Sequence, residues 1–352
     1  MTARQKLGVL TFHRCINYGS YWQARCLVEG LGARGGEAVL LDHRSSAVDR
    51  AEWRCALRPD PLRRTCPKPY LEKVRKFLRA VSSLPLSAPF DLDDPRGVSP
   101  CETVVIGSDE VWNFKHPWYA ARRLFFGDGV AARRLVAYAA SFGAHPAAAG
   151  LDQAWADKLR RFDAIGVRDE HSRQIVRGAL GRDPAVVLDP CLQFDSVCRR
   201  ADGETSGDVL VYGHAFPDWF MSLARQWADR RNLRLVSIGY DNPWADEQWI
   251  DAGPEEFAQA MGAALAVITN FFHGCVFALL NAKPFVSLVD GYRANKIGAL
   301  AAALAAERHI VWPHSPSRAF DDALDQPVRA GVIQRIGAMR ETSAAYLDAA
   351  LA

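Results

Sequence analysis

The segment 265–289 constrains the fold of this chain more than any other. An apolar stretch, Leu265 to Ile268, precedes small and apolar residues that predict a helix from Gly274, and a second apolar stretch follows at 285–289. This succession predicts a strand, a helix and a strand, and therefore a pair of parallel strands. His273 stands between the first strand and the helix. Because ligands of open α/β sheets bind where strands end and helices begin, His273 is a candidate functional residue.

The same alternation runs through most of the chain in two sets. In the first set, strands are predicted at 7–12, 38–42, 103–106, 135–139, 164–167 and 185–188. In the second set, strands are predicted at 209–213, 234–239, 265–269 and 285–289, with helices at 217–231, 254–264, 274–282 and 294–306. A length of 352 residues suits two domains of ordinary size. The sequence therefore predicts an α/β fold of two Rossmann-like domains that face a cleft.

The boundaries of these domains follow from breaks in the alternation. Residues 45–99 are rich in Arg and Pro and contain one basic amphipathic stretch, so we expect an excursion of helices and loops within the first domain. Residues 198–208 are polar and predict a linker. The predicted parts are a first domain at 1–197, the linker, a second domain at 209–328, and a helix at 329–352 that packs back on the body.

Composition narrows the classes of function. The formal net charge is +3, which indicates no broad attraction to nucleic acid or to membrane surfaces. The eight cysteines show no C-x-x-C spacing, so a zinc site or a redox pair is not predicted, and a reducing, cytoplasmic location is favoured. No stretch approaches the ~20 apolar residues of a membrane helix. We expect small-molecule partners, while the oligomeric state stays open.

Two acidic residues follow the strand 103–106. Asp109 and Glu110 are neighbours, and adjacent residues at a strand end point in different directions. One carboxylate can therefore face a ligand while the other caps a helix, where the helix dipole favours negative charge. The Gly107-Ser108 approach favours Asp109 as the functional residue, although capping remains an alternative for each.

A basic residue, Arg168, follows the strand 164–167. A guanidinium at this position can hold a phosphate or a carboxylate through two parallel hydrogen bonds. The alternative is a salt bridge to Asp169 or Glu170, which come next in the chain.

His273 has two interpretations as well. It can be a structural hydrogen-bonding residue at the start of its helix. The helix dipole there disfavours an imidazolium, whereas a phosphate bound at the same N-terminus favours it. Protonation coupled to ligand binding is typical of a general acid, so the sequence allows that role too.

The loop after the first strand holds further polar residues. Arg14, Asn17 and Tyr18 line it, and Ser20 and Gln23 in the next helix have capping-box spacing. The loop lacks G-x-G-x-x-G spacing, so the dinucleotide fingerprint is absent. It can bind an anion or a sugar hydroxyl, or form a plain turn.

Several ordered motifs resemble those of the polysaccharide pyruvyl transferase family. They are GVLTF at 8–12 with NYG at 17–19, VIGSDEVWN at 105–113, YAASFG at 138–143, VRDEHS at 167–172, VLDP at 187–190, FHG at 272–274 and KPFV at 283–286. One motif alone is weak, but their common order along the chain is specific. The resemblance covers most of the sequence.

The resemblance implies a fold similar to the glycosyltransferase B type. It also implies transfer of pyruvate from phosphoenolpyruvate to two hydroxyls of a sugar, giving a ketal and releasing phosphate. The sugar would belong to a polysaccharide or to a glycosylated metabolite. Phosphoenolpyruvate would be a co-substrate, with no cofactor and no metal. The alternatives are an enzyme with a nucleotide-activated donor, or a family member that has diverged to another reaction or to a binding role.

The resemblance and the chemistry together suggest roles for the site residues. His273 is expected to be the acid that protonates the enol carbon, and Asp109 the base that helps the sugar hydroxyl attack. The expected donor-binding residues are Arg168, Asn270, Phe271, Phe272, Gly274, Arg293 and Lys296. The expected acceptor-binding residues are Arg14, Asn17, Tyr18, Glu110 and Trp112.

The chain departs from the family pattern at two of these positions. Phe271 stands where the family commonly has Ser or Arg, and Glu110 where it often has Gln. A polar donor contact at 271 is therefore missing, or Arg14, Arg293 or Lys296 supplies it.

Overall fold

The computed structural model describes residues 6–59, 66–98, 100–199, 205–289, 291 and 294–352. It divides the chain into two compact units. Unit 1 comprises Met1–Glu52, Val81–Val197 and Gly337–Ala352, and unit 2 comprises Trp53–Ala80 and Cys198–Ile336.

Strands and helices alternate through both units. The strands are β1 (Lys6–Leu10), β2 (Glu37–Leu40), β3 (His43–Arg44), β4 (Phe90–Asp91), β5 (Cys101–Ile106), β6 (Ala132–Ala140), β7 (Ala164–Val167), β8 (Ala185–Val186), β9 (Val209–Tyr212), β10 (Leu235–Ile238), β11 (Glu247–Trp249), β12 (Ala266–Thr269), β13 (Phe285–Leu288) and β14 (Ile310–Val311). The helices are α1 (Tyr18–Ala33), α2 (Ser46–Leu57), α3 (Pro67–Ser82), α4 (Gln153–Arg160), α5 (Glu170–Leu180), α6 (Pro190–Gln193), α7 (Asp195–Cys198), α8 (Asp218–Arg231), α9 (Pro254–Ala263), α10 (Phe272–Leu280), α11 (Ala294–Leu304), α12 (Ser317–Asp325) and α13 (Ala330–Leu351). Within the described ranges, no helix is both long and apolar enough to cross a bilayer.

Unit 1 contains a parallel sheet in the order β2-β1-β5-β6-β7-β8. Its strands are short apolar runs because helices cover both faces of such a sheet. Leu10 of β1 lies opposite Ile106 of β5. The strand order reverses at β1, since β2 lies on one side of it and β5 on the other. The carboxyl ends of β1 and β5 therefore form the switch point at which ligands of such sheets bind.

Unit 2 also contains a six-stranded sheet, in the order β11-β10-β9-β12-β13-β14, and all neighbouring strands in it are parallel. Its switch point lies between β9 and β12, where Val211 is opposite Ile268. The predicted α/β class with two Rossmann-like domains is confirmed. The short strand β11 was not predicted because its sequence, EQW, carries no apolar run.

Each unit has its own apolar core. In unit 1 the large buried rings include Trp112, Phe125 and Phe142, which pack beside β5 and β6. In unit 2 Phe220 and Trp227 of α8 pack with residues of β9 and β12. Burial of apolar surface is the main favourable term in folding, so separate cores identify separate domains.

The division of the chain differs from the predicted boundaries at the excursion 45–99. Residues 53–80 belong to unit 2, because α3 is tied to the loops of that unit. Lys73 Nζ donates a hydrogen bond to the backbone oxygen of Gly239 at 2.8 Å, and Lys76 pairs with Glu256 at 2.8 Å. The sequence around Lys73 and Lys76 shows only a basic amphipathic helix, and it does not indicate these partners, which are distant in sequence.

The C-terminal part of the chain forms the predicted helix, as α13 (Ala330–Leu351). Residues 337–352 of the predicted helix 329–352 belong to unit 1. Tyr346 Oη donates to the backbone oxygen of Ala137 at 2.7 Å, and the backbone N–H of Leu188 donates to Ser343 Oγ at 2.9 Å. Residues 200–204 of the predicted linker lie outside the described residues.

Candidate functional site

Three buried polar side chains join the two loops at the switch point of unit 1. Thr11 Oγ1 donates to the backbone oxygen of Ser108 at 3.0 Å, and Gln23 Nε2 donates to Thr11 Oγ1 at 2.9 Å. Ser108 Oγ in turn donates to Gln23 Oε1 at 2.5 Å. A fully satisfied buried network holds one geometry. Sequence reasoning assigned no site role to Thr11 or Gln23, although buried polar residues beside a strand end are a usable signal.

This network positions the carboxylate of Asp109. Oδ2 accepts a hydrogen bond from Ser20 Oγ at 3.0 Å, and Oδ1 accepts one from the backbone N–H of Glu110 at 2.8 Å. The backbone before it requires glycine, because a Cβ at Gly107 would lie 2.1 Å from the backbone oxygen of Tyr138. The Asp109 side chain is 15% exposed. An ionised carboxylate has about four acceptor positions, so two hydrogen bonds leave room for a substrate hydroxyl.

Arg168 lies beside this carboxylate and is buried. Its Nη1 is 3.9 Å from Asp109 Oδ1 and 3.5 Å from Asp189 Oδ2, and the side chain is 4% exposed. Burial by itself lowers the pKa of the guanidinium, but the carboxylates of Asp109, Asp189, Asp169 and Glu110 raise it above its ordinary value. Arg168 is therefore a permanent cation whose charge is directed at carboxylates of unit 1.

The alternative partners of Arg168 have other contacts. Asp169 caps α5 by accepting from the backbone N–H of Ser172 at 2.7 Å, and it also accepts from Ser141 Oγ at 2.7 Å. Glu170 pairs with Arg173 at 3.2 Å. The closest carboxylates to Arg168 are thus distant in sequence, which spacing along the chain cannot indicate.

Three of the expected acceptor-binding residues are buried in unit 1. Tyr18 and Trp112 are 0% and 1% exposed, and Glu110 is buried as well. Trp112 Nε1 donates to the backbone oxygen of Phe125 at 2.8 Å, and Glu110 Oε2 accepts from Asn113 Nδ2 at 2.7 Å. In this structure these side chains shape the loop around Asp109 and offer no surface to a sugar.

Arg14 and Asn17, also expected to bind the acceptor, have structural contacts. Arg14 holds both carboxylate oxygens of Asp42, at 2.5 and 2.8 Å. Burial by itself raises the pKa of Asp42, but hydrogen bonds from His13 and Arg14 outweigh it and hold this pKa well below its usual range. Asn17 Oδ1 accepts from the backbone N–H of Ser20 at 3.2 Å. Asn17 is therefore the cap of α1, and the predicted capping box at Ser20 and Gln23 is wrong.

In unit 2, His273 lies in the first turn of α10 and is mostly buried. The helix begins at Phe272, two residues before the predicted start. Gly274 is required there, because a Cβ would lie 2.1 Å from Thr269 Oγ1. That hydroxyl donates to the backbone oxygen of Tyr212 at 2.6 Å and accepts from the backbone N–H of Phe271 at 3.0 Å. The close approach brings the helix N-terminus to the switch point between β9 and β12.

Asn270 connects the two loops at this switch point. Its Nδ2 donates to the backbone oxygen of His214 at 2.8 Å, and the residue is 4% exposed. Its Oδ1 is buried, and no hydrogen-bond partner for it lies among the described residues. Asn270 therefore fixes the loop after β9 relative to the loop that carries His273.

The ring of Phe271 belongs to an aromatic cluster of unit 2. Its centroid lies 5.0 Å from that of Tyr212, and 5.4 Å from those of both His214 and Tyr240. Aromatic pairs at such distances stabilise by about 0.5–1.5 kcal/mol beyond the area they bury. The departure from the family pattern at 271 is thus a packing feature. Phe272 is also buried and its ring meets that of His273 edge-on at 5.1 Å.

The two expected donor cations of unit 2 are on or before α11. Lys296 is a half-buried residue of its first turn. Arg293 lies outside the described residues. A cation that sequence reasoning missed is Lys73 of α3. It is buried, with Nζ 4.3 Å from the ring centroid of Tyr240, and burial lowers the pKa of its ammonium to about 7.

Comparison with known proteins identifies relatives at the level of family and fold. The sequence pattern of the polysaccharide pyruvyl transferase family matches residues 17–291. No curated protein sequence matches the chain significantly.

Solved structures of low sequence identity share the fold. A putative UDP-N-acetylglucosamine 2-epimerase from Listeria monocytogenes has a TM-score of 0.52 and 10% identity, with 97% of this chain and 91% of that chain covered. The UDP-GlcNAc 2-epimerase from Methanocaldococcus jannaschii has a TM-score of 0.51 and 8% identity over 92% and 93%. That from Neisseria meningitidis, bound to UDP-GlcNAc, has a TM-score of 0.50 and 11% identity over 96% and 93%. The predicted similarity to the glycosyltransferase B type is confirmed.

Proposed function

The chain belongs to the polysaccharide pyruvyl transferase family, and on that premise we propose that it transfers pyruvate from phosphoenolpyruvate to two hydroxyls of a sugar. The product would be a ketal on a polysaccharide or a glycosylated metabolite, with release of phosphate. The observation that carries the proposal is the Asp109 carboxylate. It lies in the family-like GSDEVWN motif, is held by Ser20 and by the N–H of Glu110, and keeps acceptor positions open.

The first step needs an acid. In the proposed reaction His273 gives a proton to the methylene carbon of phosphoenolpyruvate, so that C2 becomes electrophilic. The N-terminus of α10 would bind the donor's phosphate, because the backbone N–H groups at the start of a helix hold anions. His273 lies in the first turn of this helix and would therefore stand beside the bound donor.

The second step needs a base. Asp109 accepts the proton of a sugar hydroxyl while its oxygen bonds to C2. The C2–O bond to phosphate then breaks, and a second hydroxyl of the sugar attacks C2 to close the ketal. The proton of the second hydroxyl leaves with phosphate. The proton that Asp109 took from the first hydroxyl is released to solvent, and His273 takes one up again, which balances the proton added at the methylene carbon and restores both residues.

Arg168 and the residues of α10 would support these steps. Arg168 Nη1 lies 3.9 Å from Asp109 Oδ1, so we propose that Arg168 acts as a positioning residue in addition to the donor role expected from the sequence. Gly274, Asn270 and Phe272 would form the donor's anion site together with the backbone of α10, and Lys296 and Arg293 would add positive charge.

The proposed co-substrate is phosphoenolpyruvate, without a cofactor. The proposed location is the cytoplasm, because the eight cysteines show no redox spacing.

The decisive experiment separates the donor classes. The purified protein is tested by thermal shift with phosphoenolpyruvate and, separately, with UDP-sugars. Release of phosphate is then followed in the presence of a mixture of oligosaccharides. We expect a shift and phosphate release with phosphoenolpyruvate, and loss of phosphate release in His273→Ala but not in His314→Ala, an exposed histidine of unit 2. A shift with UDP-sugars alone would contradict the proposal and favour a nucleotide-activated donor.

A further inference from the structure

A pocket of about 290 Å³ lies in unit 2 at the carboxyl ends of β9 and β10. Aromatic rings dominate its wall, which includes Tyr70, His214, Phe216, Tyr240, Asp241 and Trp244. Tyr70, Phe216 and Tyr240 are each less than a tenth exposed, whereas His214, Asp241 and Trp244 are half-buried. Neither the proposed acid nor the proposed base uses this pocket.

The rings of the wall are held in place by several contacts. Tyr240 has the ammonium of Lys73 4.3 Å from its centroid and the ring of His214 at 5.1 Å. Phe216 meets Trp244 edge-on, with the centroids 5.6 Å apart. Side chains that are ordered before a ligand arrives lose little conformational entropy on binding, so this wall is preorganised.

The backbone around the pocket is fixed as well. Asn242 Nδ2 donates to the backbone oxygen of Gly213 and to Ser237 Oγ, both at 2.9 Å. Ser237 Oγ donates to the backbone oxygen of Tyr240 at 2.8 Å. These bonds connect the loop after β9 to the loop after β10, so the two sides of the pocket keep a constant separation.

The carboxylate of Asp241 is a polar group of the wall that a ligand can use. The backbone N–H of Asp241 donates to Tyr70 Oη at 3.1 Å. The Asp241 carboxylate, however, has no hydrogen bond or ion pair among the described residues. An ionised carboxylate only accepts hydrogen bonds, and the hydroxyls of a ligand would donate them to Asp241.

Charge and size then select the class of ligand. The described lining contains a carboxylate and neither Lys nor Arg, which favours a neutral ligand over a phosphate. Pockets for drug-sized ligands hold about 300–1,000 Å³, so this one suits a single ring. A pyranose combines apolar C–H faces, which pack on aromatic rings, with hydroxyls that donate to a carboxylate.

We propose that this pocket binds one neutral sugar ring. The idea that this ring belongs to the acceptor rests on the proposed function, whereas binding of a sugar does not.

The test measures binding of methyl glycosides of glucose, galactose, mannose and N-acetylglucosamine to the full chain by isothermal titration calorimetry, without phosphoenolpyruvate. We expect at least one to bind, with an affinity at least tenfold weaker in Trp244→Ala and in Asp241→Ala. Trp312→Ala, which changes an exposed tryptophan of unit 2, should bind as the wild type does. The thermal midpoint of each variant establishes that it is folded. If Asp241→Ala does not fold, Asp241→Asn, which keeps the shape of the side chain, is tested in its place.

Three results would overturn the inference: no binding of any glycoside, binding that both pocket variants retain, or binding of uridine monophosphate that the same variants abolish. Phosphate release from phosphoenolpyruvate is measured in parallel. If that reaction is absent but the pocket variants lose glycoside binding, the proposed function fails and the inference stands. If the reaction proceeds and the pocket variants bind glycosides normally, only the inference fails.

Discussion

Ser20 Oγ donates a hydrogen bond to Asp109 Oδ2 at 3.0 Å, and so connects the first turn of α1 to the loop after β5. The two residues are 89 positions apart in sequence and meet because β1 and β5 are neighbours at the switch point. This bond fixes the orientation of the carboxylate that we propose as the base.

Asp109→Asn tests the base directly. The amide keeps the shape of the side chain but cannot accept a proton, so we expect phosphate release to fall about 10²–10⁴-fold. Steady-state assays with phosphoenolpyruvate and an acceptor measure the change, and unfolding in urea monitors stability. Asp152→Asn, at an exposed acid of unit 1, is the matched control and should be fully active. Equal activity in Asp109→Asn and the wild type would remove Asp109 from the mechanism.

Ser20→Ala tests the positioning of that base. A hydrogen bond to a charged group contributes about 1.5–3 kcal/mol, so we expect activity to fall by roughly one to two powers of ten. The loss should fall on kcat rather than on KM, because the base is misoriented while the substrates still bind. Ser20→Thr, which keeps a hydroxyl, should recover part of kcat. A purely structural role would instead lower stability in urea and change kcat and KM together.

Arg168→Met tests the buried cation. Removal of one partner from a buried charge pair costs about 3–5 kcal/mol, because the carboxylates of Asp109 and Asp189 lose their compensating charge. We expect a large loss of stability in urea, measured at pH 7, together with loss of activity. Arg168→Lys keeps the charge and should recover part of the stability. If Arg168→Met is as stable as the wild type, the salt bridges described here do not support the site.

Sequence reasoning predicted the fold well because parallel strands have a strong local signature. The apolar runs at 103–106, 164–167 and 209–213 each correspond to a strand of the structure. Side-chain contacts were harder to predict, since they depend on the strand order. Arg168 pairs with Asp109 and Asp189 because β5, β7 and β8 bring their loops together, and nothing in the local sequence indicates that.

Burial was the second feature that local sequence did not reveal. Tyr18 begins α1 and Trp112 lies in the loop after β5, both beside candidate site residues, where polar or aromatic side chains commonly touch ligands. Their rings instead lie in the core of unit 1, because removing a large apolar surface from water stabilises the fold. Lys73 shows the opposite case, in which a charged residue of a basic helix is buried by partners in another part of the chain.

Gly274→Ala tests the close approach of α10 to β12. An added Cβ would lie 2.1 Å from Thr269 Oγ1, so the helix or the strand must move. Overpacking of this kind lowers the free energy of unfolding by about 1–3 kcal/mol. The displacement of His273 should also lower the activity of the enzyme. Gly298→Ala in α11 is the matched control, since a Cβ there meets nothing within 4 Å. Urea unfolding should show a lower free energy of unfolding for Gly274→Ala, and a free energy of unfolding higher by up to about 1 kcal/mol for Gly298→Ala. Equal stabilities would contradict the packing described here.

Lys73→Met tests the buried ammonium through the pH dependence of stability. The pKa of Lys73 is about 7 in the folded protein and 10.5 in the unfolded chain. Between these pH values the unfolded chain binds the proton and the folded protein does not. The contribution of Lys73 to the free energy of unfolding therefore rises with pH from about 7 to 10.5, and it is constant below pH 7. One such group contributes a slope of up to about 1.36 kcal/mol per pH unit.

The methionine variant has no titrating group at position 73. We therefore expect the difference in unfolding free energy between wild type and Lys73→Met to change with pH across this window, with the variant gaining relative stability as the pH falls from 9.5 to 7. Urea titrations at intervals of half a pH unit measure it. Lys68→Met, on the exposed part of the same helix, should show a constant difference from the wild type. If the curves of Lys73→Met and the wild type are parallel, the ammonium is charged in the folded protein throughout, and the contact with Tyr240 offsets the cost of its burial.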